Sequence, residues 1–469
     1  MSDALEPDKV VELFNGARDL IAGGHLDEAA DDLRTMLPSA RRMFAEDPSG
    51  TRMVIVFGLV ALTQALDERA TEERAAALRE IDATTSGYDE DEVLRGVPAQ
   101  FRPYRLRSLR RLATLLLDTG DLDGALAAAT AARDEALLIE PGTKERDGLD
   151  REEQAAICEG LLITVLVQMG RTEETLEAGE RVVRYEEVLS SRDPEQSELG
   201  NACLDHGLRL LDAGRGEDGV RYLRRAVEVY RGQMASDEVR FNLALAADRL
   251  GVTLAVGGDP EEGLPFMREA VEAQRGMEAP GPRELEALGG GLRNMAVCLG
   301  SLDRDDDAVS AAEESVAVFR RMAELEPQWV DEVVSGERLL AEFLAGAGRL
   351  DESLELGERG IAEEEERLAK DPGRSRLQLA ESQARLGLRL GRLGRPEAGH
   401  LQAAVAAYRE LVAAGSDDLV RSAGRQAVSL EGMADLYRER QDGERLAEVL
   451  EVLEKVHELD GASERSAQA

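Results

Sequence analysis

Cys203 and His206 stand three residues apart in "NACLDHGLRLL", a spacing that puts a thiol and an imidazole on one face of a helix. A thiolate held beside an imidazolium is a nucleophile, so the pair could open a covalent mechanism. "DRDDDAVSAAEE", starting at Asp303, sets Asp303, Asp305, Asp307 and Glu314 at places 1, 3, 5 and 12 of a calcium-binding loop. "LRLGRLGRPEAG", residues 388–399, has the glycine-rich, arginine-dotted look of a loop that cradles phosphate. Finally, "FRPYRLRSLRRLATLL" gathers Arg102, Arg105, Arg107, Arg110 and Arg111, and arginine forks take carboxylates in pairs of hydrogen bonds.

Each reading depends on the element beneath it. A calcium loop needs glycine at its sixth place for the sharp turn, and here Ala308 opens a strongly helical run. The aspartates read instead as the capped, acidic start of a helix. A nucleotide loop follows a strand and carries GxGxxG or GK[ST]; residues 388–399 have neither spacing, and no strand precedes them. The four histidines, His25, His206, His400 and His457, are scattered, and no HExxH or GxSxG motif is present. No cofactor or metal is implied.

What the chain does contain is a repeat. "LLDTGDLDGALAAATAA", "VLVQMGRTEETLEAGERVV" and "LLDAGRGEDGVRYLRRAVEVY" superimpose, and "LAVGGDPEEGLPFMREAVEA", "LAGAGRLDESLELGERGI" and "LGRLGRPEAGHLQAAVAAY" continue them. Each is an apolar-periodic helix, a turn glycine, a few polar residues and a second amphipathic helix. The turn residues are Gly24, Gly120, Gly170, Gly214, Gly258, Gly348 and Gly394, with Asp303 in the slot before Gly348, a degenerate turn near Arg69 and a last one near Gln441. From Gly120 to Gly394 the steps are 50, 44, 44, 45, 45 and 46 residues.

Seven before the turn comes a small residue: Ala17, Ala113, Gly207, Gly251, Ala296, Ala341 or Gly387, with Ile163 the exception. Five after it comes Ala29, Ala125, Gly219, Gly263, Ala308, Ser353 or Gly399. Small side chains at two helical turns' distance let a neighbouring helix approach closely. His206 falls in a slot that other repeats fill with Leu112, Leu162, Leu250, Leu340 or Leu386, which assigns it to packing. In residues 388–399, Gly394 becomes the turn and Gly399 the contact residue beyond it, leaving only Gly391 unexplained.

This grammar resembles the tetratricopeptide family, and its long unit resembles that family's kinesin-light-chain-like, bacterial branch. The resemblance implies an all-α, right-handed α-solenoid of about ten helix-turn-helix repeats with a period near 45 residues. It covers residues 8–460 as a single domain, with 1–7 an N-terminal extension and 461–469 a disordered tail. It further implies a concave groove lined by first helices, where a protein or peptide partner lies. Carried over, the groove positions are Arg107, Arg110, Thr114, Leu204, Leu208, Asp248, Arg293, Arg338, Glu342 and Arg392. The Lys–Asn pair with which the family clamps a terminal carboxylate is missing.

Composition narrows the partner. Against 57 basic residues stand 95 acidic ones, a formal charge of −38, which disfavours nucleic acid and anionic membranes. Aromatics make up 3%, few for a ring-lined substrate pocket. Three dispersed cysteines, Cys158, Cys203 and Cys298, suit a reducing compartment, and the acidic start "MSDALEPDKVVELF" lacks a signal-peptide core, so a cytoplasmic location is expected. The expected function is a non-catalytic interaction scaffold or adaptor. Two further readings stay open: a peptide-sensing regulatory subunit and an all-α enzyme.

Overall fold

The computed structural model describes residues 5–66, 70–86, 88, 92, 96–144, 148–193, 198–233, 236–278, 280–370, 376–395 and 399–467, the last seven for their backbone alone. Among the described residues every regular element is helical.

In the unit spanning 1–233 the helices pair as α1 (Pro7–Ala22) with α2 (Leu26–Glu46), α3 (Pro48–Ala65) with α4 (Thr71–Ser86), and α5 (Val97–Asp118) with α6 (Leu122–Leu137). The pairs α7 (Arg151–Gln168) with α8 (Thr172–Arg192) and α9 (Leu199–Asp212) with α10 (Gly216–Gly232) complete it. The unit spanning 234–469 pairs α11 (Asp237–Val256) with α12 (Pro260–Arg275), α13 (Pro282–Ser301) with α14 (Asp305–Leu325), and α15 (Val330–Gly346) with α16 (Leu350–Lys370). Next come α17 (Leu377–Arg392) with α18 (His400–Ala413), the short α19 (Asp417–Arg421), and α20 (Ala423–Glu439) with α21 (Gly443–Ala467). The ten pairs anticipated from the repeat are therefore present.

Among the described residues the turn inside a pair has one construction. Its central residue is left-handed, with φ between 55° and 100° at Gly24, Gly120, Gly170, Gly214, Gly258, Asp303, Gly348, Gly394 and Gln441. The next N–H reaches back five residues to a carbonyl, as in His25 to Leu20, Asp121 to Leu116, Arg304 to Leu299 and Asp442 to Tyr437. This closes the helix on its own orphan carbonyls. Asp303 and Gln441 are the two non-glycine residues with positive φ among the described residues, and both occupy turn slots named from the sequence. The turn placed near Arg69 lies outside the described residues.

The crossings follow the small residues. Ala17, Ala113, Ala296, Ala29, Ala125, Ala308 and Ser353 have no exposed surface, and Ala341 is buried. A Cβ on Gly251 would meet the Gly263 carbonyl oxygen at 2.8 Å, and one on Gly207 the Gly219 carbonyl at 3.2 Å. The two backbones touch where both partners are glycine.

Two readings of residues 388–399 are corrected. Gly399 is exposed, with φ 82°, and precedes α18 instead of lying inside it. Leu401 packs on Gly387 in its place, with its Cδ2 2.6 Å from where a Cβ would stand. Gly391 has a role after all: a Cβ there would run into Leu436 of α20, and its carbonyl accepts from Arg440 Nη2 at 3.1 Å. At the other end of the unit, α21 continues to Ala467, past the boundary at 460 set from the sequence. Gly461 costs a helix only about 1 kcal/mol, and no proline follows it.

Candidate functional site

The Cys203–His206 pair is a packing pair. Cys203 has no exposed surface, and burial pushes its thiol up to about 12. His206 is 4% exposed, and burial pulls its imidazole down to about 4. Its ring meets Tyr222 edge-on at 4.5 Å, and Nδ1 stands 2.6 Å from where a Cβ on Gly179 would be. The thiol is thus held protonated and the imidazole neutral, the reverse of an activated couple. Asp305, Asp306 and Asp307 form the first turn of α14.

The expected groove positions divide in two. One set is spent on joining repeats. Arg293 pairs with Glu332, Arg338 with Glu381, and Glu342 with Arg385. Asp248 receives Asn294 Nδ2 on both oxygens at 3.2 Å, and burial raises its pKa. These bonds span 39, 43, 43 and 46 residues, one repeat each, and run from first helix to first helix. Leu204 is corrected outright: it is 5% exposed and belongs to the core, while Leu208, one turn on, is half-buried.

The other set gathers. Arg107, Arg110 and Thr114 line one concavity of about 1250 Å³ in the unit 1–233, together with Arg74, Arg111 and Asp118. The structure divides the arginine-rich segment 102–111 between internal neutralisation and exposure. Arg102 reaches Glu135 at 3.3 Å; Arg105 takes Glu135 as well and Asp82 at 2.9 Å. The acid of the preceding segment that is described, Glu92, pairs with buried Arg52 at 2.9 Å. Arg110 donates to Gln154 at 3.1 Å, a neutral partner. Arg74, Arg107 and Arg111 have no described carboxylate, and the Arg74 Nε is buried without a hydrogen bond among the described residues. Partial burial, with Arg107 and Arg74 alongside, pulls the pKa of the largely exposed Arg111 down.

A second feature escaped the sequence reading. Met53, Phe57, Gln100, Pro103 and Tyr104 line an apolar pocket of about 310 Å³, where the Phe57 and Tyr104 rings lie 5.0 Å apart. On α3 the residues 53, 57 and 64 share a face, as do 100, 104, 107 and 111 on α5, by helical periodicity. The apolar pocket and the guanidinium concavity therefore occupy successive stretches of the same two helix faces. The signal was available in the 4-3-4 spacing of Gln100, Tyr104, Arg107 and Arg111. On α3, however, Met53 and Phe57 lie inside the apolar run "MVIVFGLVAL", residues 53–62, where nothing in the pattern marks one face from another.

Arg392 lies in a different concavity, in the unit 234–469, beside Arg385, Arg389 and Arg425. Among the described residues no helix is long and apolar enough to cross a membrane.

No family model matches this chain, and no curated protein sequence does. Among solved structures it is similar to aspartyl phosphate phosphatase F from Bacillus subtilis, at 13% identity over 98% of this chain and 96% of that one, with a TM-score of 0.43. It is also similar to BtubC from P. vanneervenii, at 14% identity over 54% and 92% of the two chains and a TM-score of 0.39. YrrB, described as a TPR protein with an unusual peptide-binding site, is 19% identical over 45% of this chain and 84% of that one, with a TM-score of 0.30.

Proposed function

We propose that this chain, a tetratricopeptide-like repeat protein by its hairpin turns and crossings, is a non-catalytic scaffold that binds an acidic segment of a partner protein. The observation that carries the proposal is the group Arg74, Arg107 and Arg111, three guanidiniums without a described carboxylate partner in a chain of net charge −38. Like charges gathered on one face repel, and they persist where a ligand of opposite charge repays the repulsion. Arginine recognises carboxylates through two parallel hydrogen bonds, so the ligand is acidic.

The apolar pocket adds a second requirement. Seven residues of helix separate Tyr104 from Arg111, about 10 Å along the axis. An extended chain covers that distance in about three residues. The segment therefore carries an apolar side chain about three residues from its carboxylates.

A fluorescein-labelled peptide with Phe three residues from a Glu-Glu pair tests this by anisotropy. Binding is expected, with loss on Arg107→Glu plus Arg111→Glu and no change in melting temperature, since both side chains are exposed. Weakening with salt is expected as well. Equal binding by the double variant, or by a peptide with Lys-Lys in place of Glu-Glu, would sink the proposal.

A further inference from the structure

Most arginines of the unit 234–469 answer a carboxylate one turn or one repeat away, as Arg304 does with Asp307 and Arg395 with Asp351. One group does not. Arg385, Arg389 and Arg392 stand at i, i+4 and i+7 on α17, one face of the helix, and Arg425 comes from the neighbouring first helix α20. All four line a single concavity of about 670 Å³. Glu342 answers Arg385. Arg389, Arg392 and Arg425 have no described carboxylate, so three positive charges stay uncompensated among the described residues.

Local helix physics explains only part of this. Arg389 and Arg392 lie in the last turn of α17, where the helix dipole favours cations. Arg385 and Arg425 lie outside it. Burial lowers the pKa of Arg385, and Arg338, Arg425 and Arg389 lower it further; burial lowers that of Arg389 too. Arg385 is thus both crowded and partly stripped of water, and Arg389 is partly stripped of it.

The rest of the lining tells what else the ligand has. Leu388, Leu393 and Val428 form an apolar wall, with Val428 66% exposed; Ser429 lines the concavity too, as does Glu342, the partner of Arg385. Among the described residues no aromatic ring lines the concavity, so a nucleotide base finds no stacking face.

We infer that this concavity is a second binding site, for a phosphorylated side chain on an apolar protein segment. A single carboxylate brings one charge and two oxygens. A phosphoryl group brings about −1.5 to −2 and three acceptor oxygens, which suits three uncompensated forks that line one concavity from two helices. The apolar wall takes the residues that flank it. This site lies in a different unit from the acidic-segment site proposed above and does not depend on it.

The test uses the full chain and three fluorescein-labelled peptides, Ala-Leu-Leu-X-Leu-Val-Ala, with X phosphoserine, glutamate or serine. The phosphoserine peptide is expected to bind at least about tenfold more tightly than the glutamate one, and the serine one not at all. Arg389→Gln with Arg425→Gln should weaken it by about tenfold or more, while Arg107→Gln with Arg111→Gln leaves it unchanged. Inorganic phosphate should compete, but at least about tenfold more weakly than the peptide, because it leaves the apolar wall empty. Equal binding of the glutamate or serine peptide overturns the phosphoryl assignment; phosphate as tight as the phosphopeptide overturns the protein segment. Loss in the Arg107/Arg111 variant equal to that in the Arg389/Arg425 variant overturns the second site. Should the Arg389/Arg425 pair fail to fold, the exposed Arg425→Gln alone and the three-peptide ranking on the parent chain decide.

Discussion

At the scale of residues, the same local environment that disarms Cys203 and His206 as chemistry makes His206 a liability in acid. Its imidazole falls from the ordinary 6.5 to about 4 because it is buried, with Nδ1 unsatisfied. The unfolded chain then binds a proton that the folded chain refuses throughout that interval. A depressed histidine stabilises nothing extra above pH 6.5, and the fold loses stability as pH falls from there toward 4. By pH 5 the loss is about 2 kcal/mol from this one group. His206→Leu supplies the residue that other repeats carry in this slot. Its urea midpoint, compared with the parent's, should gain between pH 7 and pH 5; a gain independent of pH would mean that His206 does not titrate as its surroundings dictate. The packing role of His206 was legible in the sequence because five other repeats place leucine there. The division of the arginine segment was not, because the partners of Arg102 and Arg105 are Glu135 and Asp82, 30 and 23 residues from Arg105 along the chain.

At the scale of helices, the closest contacts within a pair rest on backbone approaching backbone. Gly263 illustrates it, since a Cβ there would strike the carbonyl of Gly251. Helix propensity alone predicts that Gly263→Ala stabilises by about 1 kcal/mol. The crossing predicts the opposite, a loss of about 1–3 kcal/mol, because main chain cannot step aside as a side-chain tip can. Gly160, mid-helix in α7 and with nothing within 4 Å of its missing Cβ, isolates the propensity effect. Gly160→Ala should raise stability by about 0.5–1 kcal/mol. Denaturant titration of the two variants separates the effects, and a stabilised Gly263→Ala would mean that the register of small residues is misassigned. That register was readable because steric demands recur with the repeat. It failed at Gly399, where α18 begins late, at His400, and Leu401 takes over the contact. A five-residue offset counted from the turn assumes that the second helix starts at a constant distance from it, and there it starts six residues after Gly394.

At the scale of the whole chain, ionic strength acts on folding and on binding with opposite signs. The repeat ladder, the turns and the ten pairs were legible from periodicity, whereas the first-helix face was only half so. Arg107, Arg110 and Thr114 line a concavity, yet Arg293, Arg338 and Glu342, at matching positions, are taken up by bonds to the next repeat. Repeat register fixes where a side chain points; which acid stands one repeat further on fixes whether it is free, and that varies without period. The exposed ion pairs along the chain contribute little individually and weaken with salt. The excess of 38 negative charges outweighs them, since its mutual repulsion is relieved when unfolding moves the charges apart. Raising sodium chloride from about 0.05 to 0.5 M shrinks the Debye length from roughly 14 to 4 Å and screens that repulsion. The melting temperature should therefore rise over this interval while capture of the Phe–Glu-Glu peptide weakens. A fall in both would show that the ion pairs outweigh the repulsion; a rise in melting temperature with binding unchanged would show that the ligand is held by the Phe57–Tyr104 pocket and not by Arg107 and Arg111.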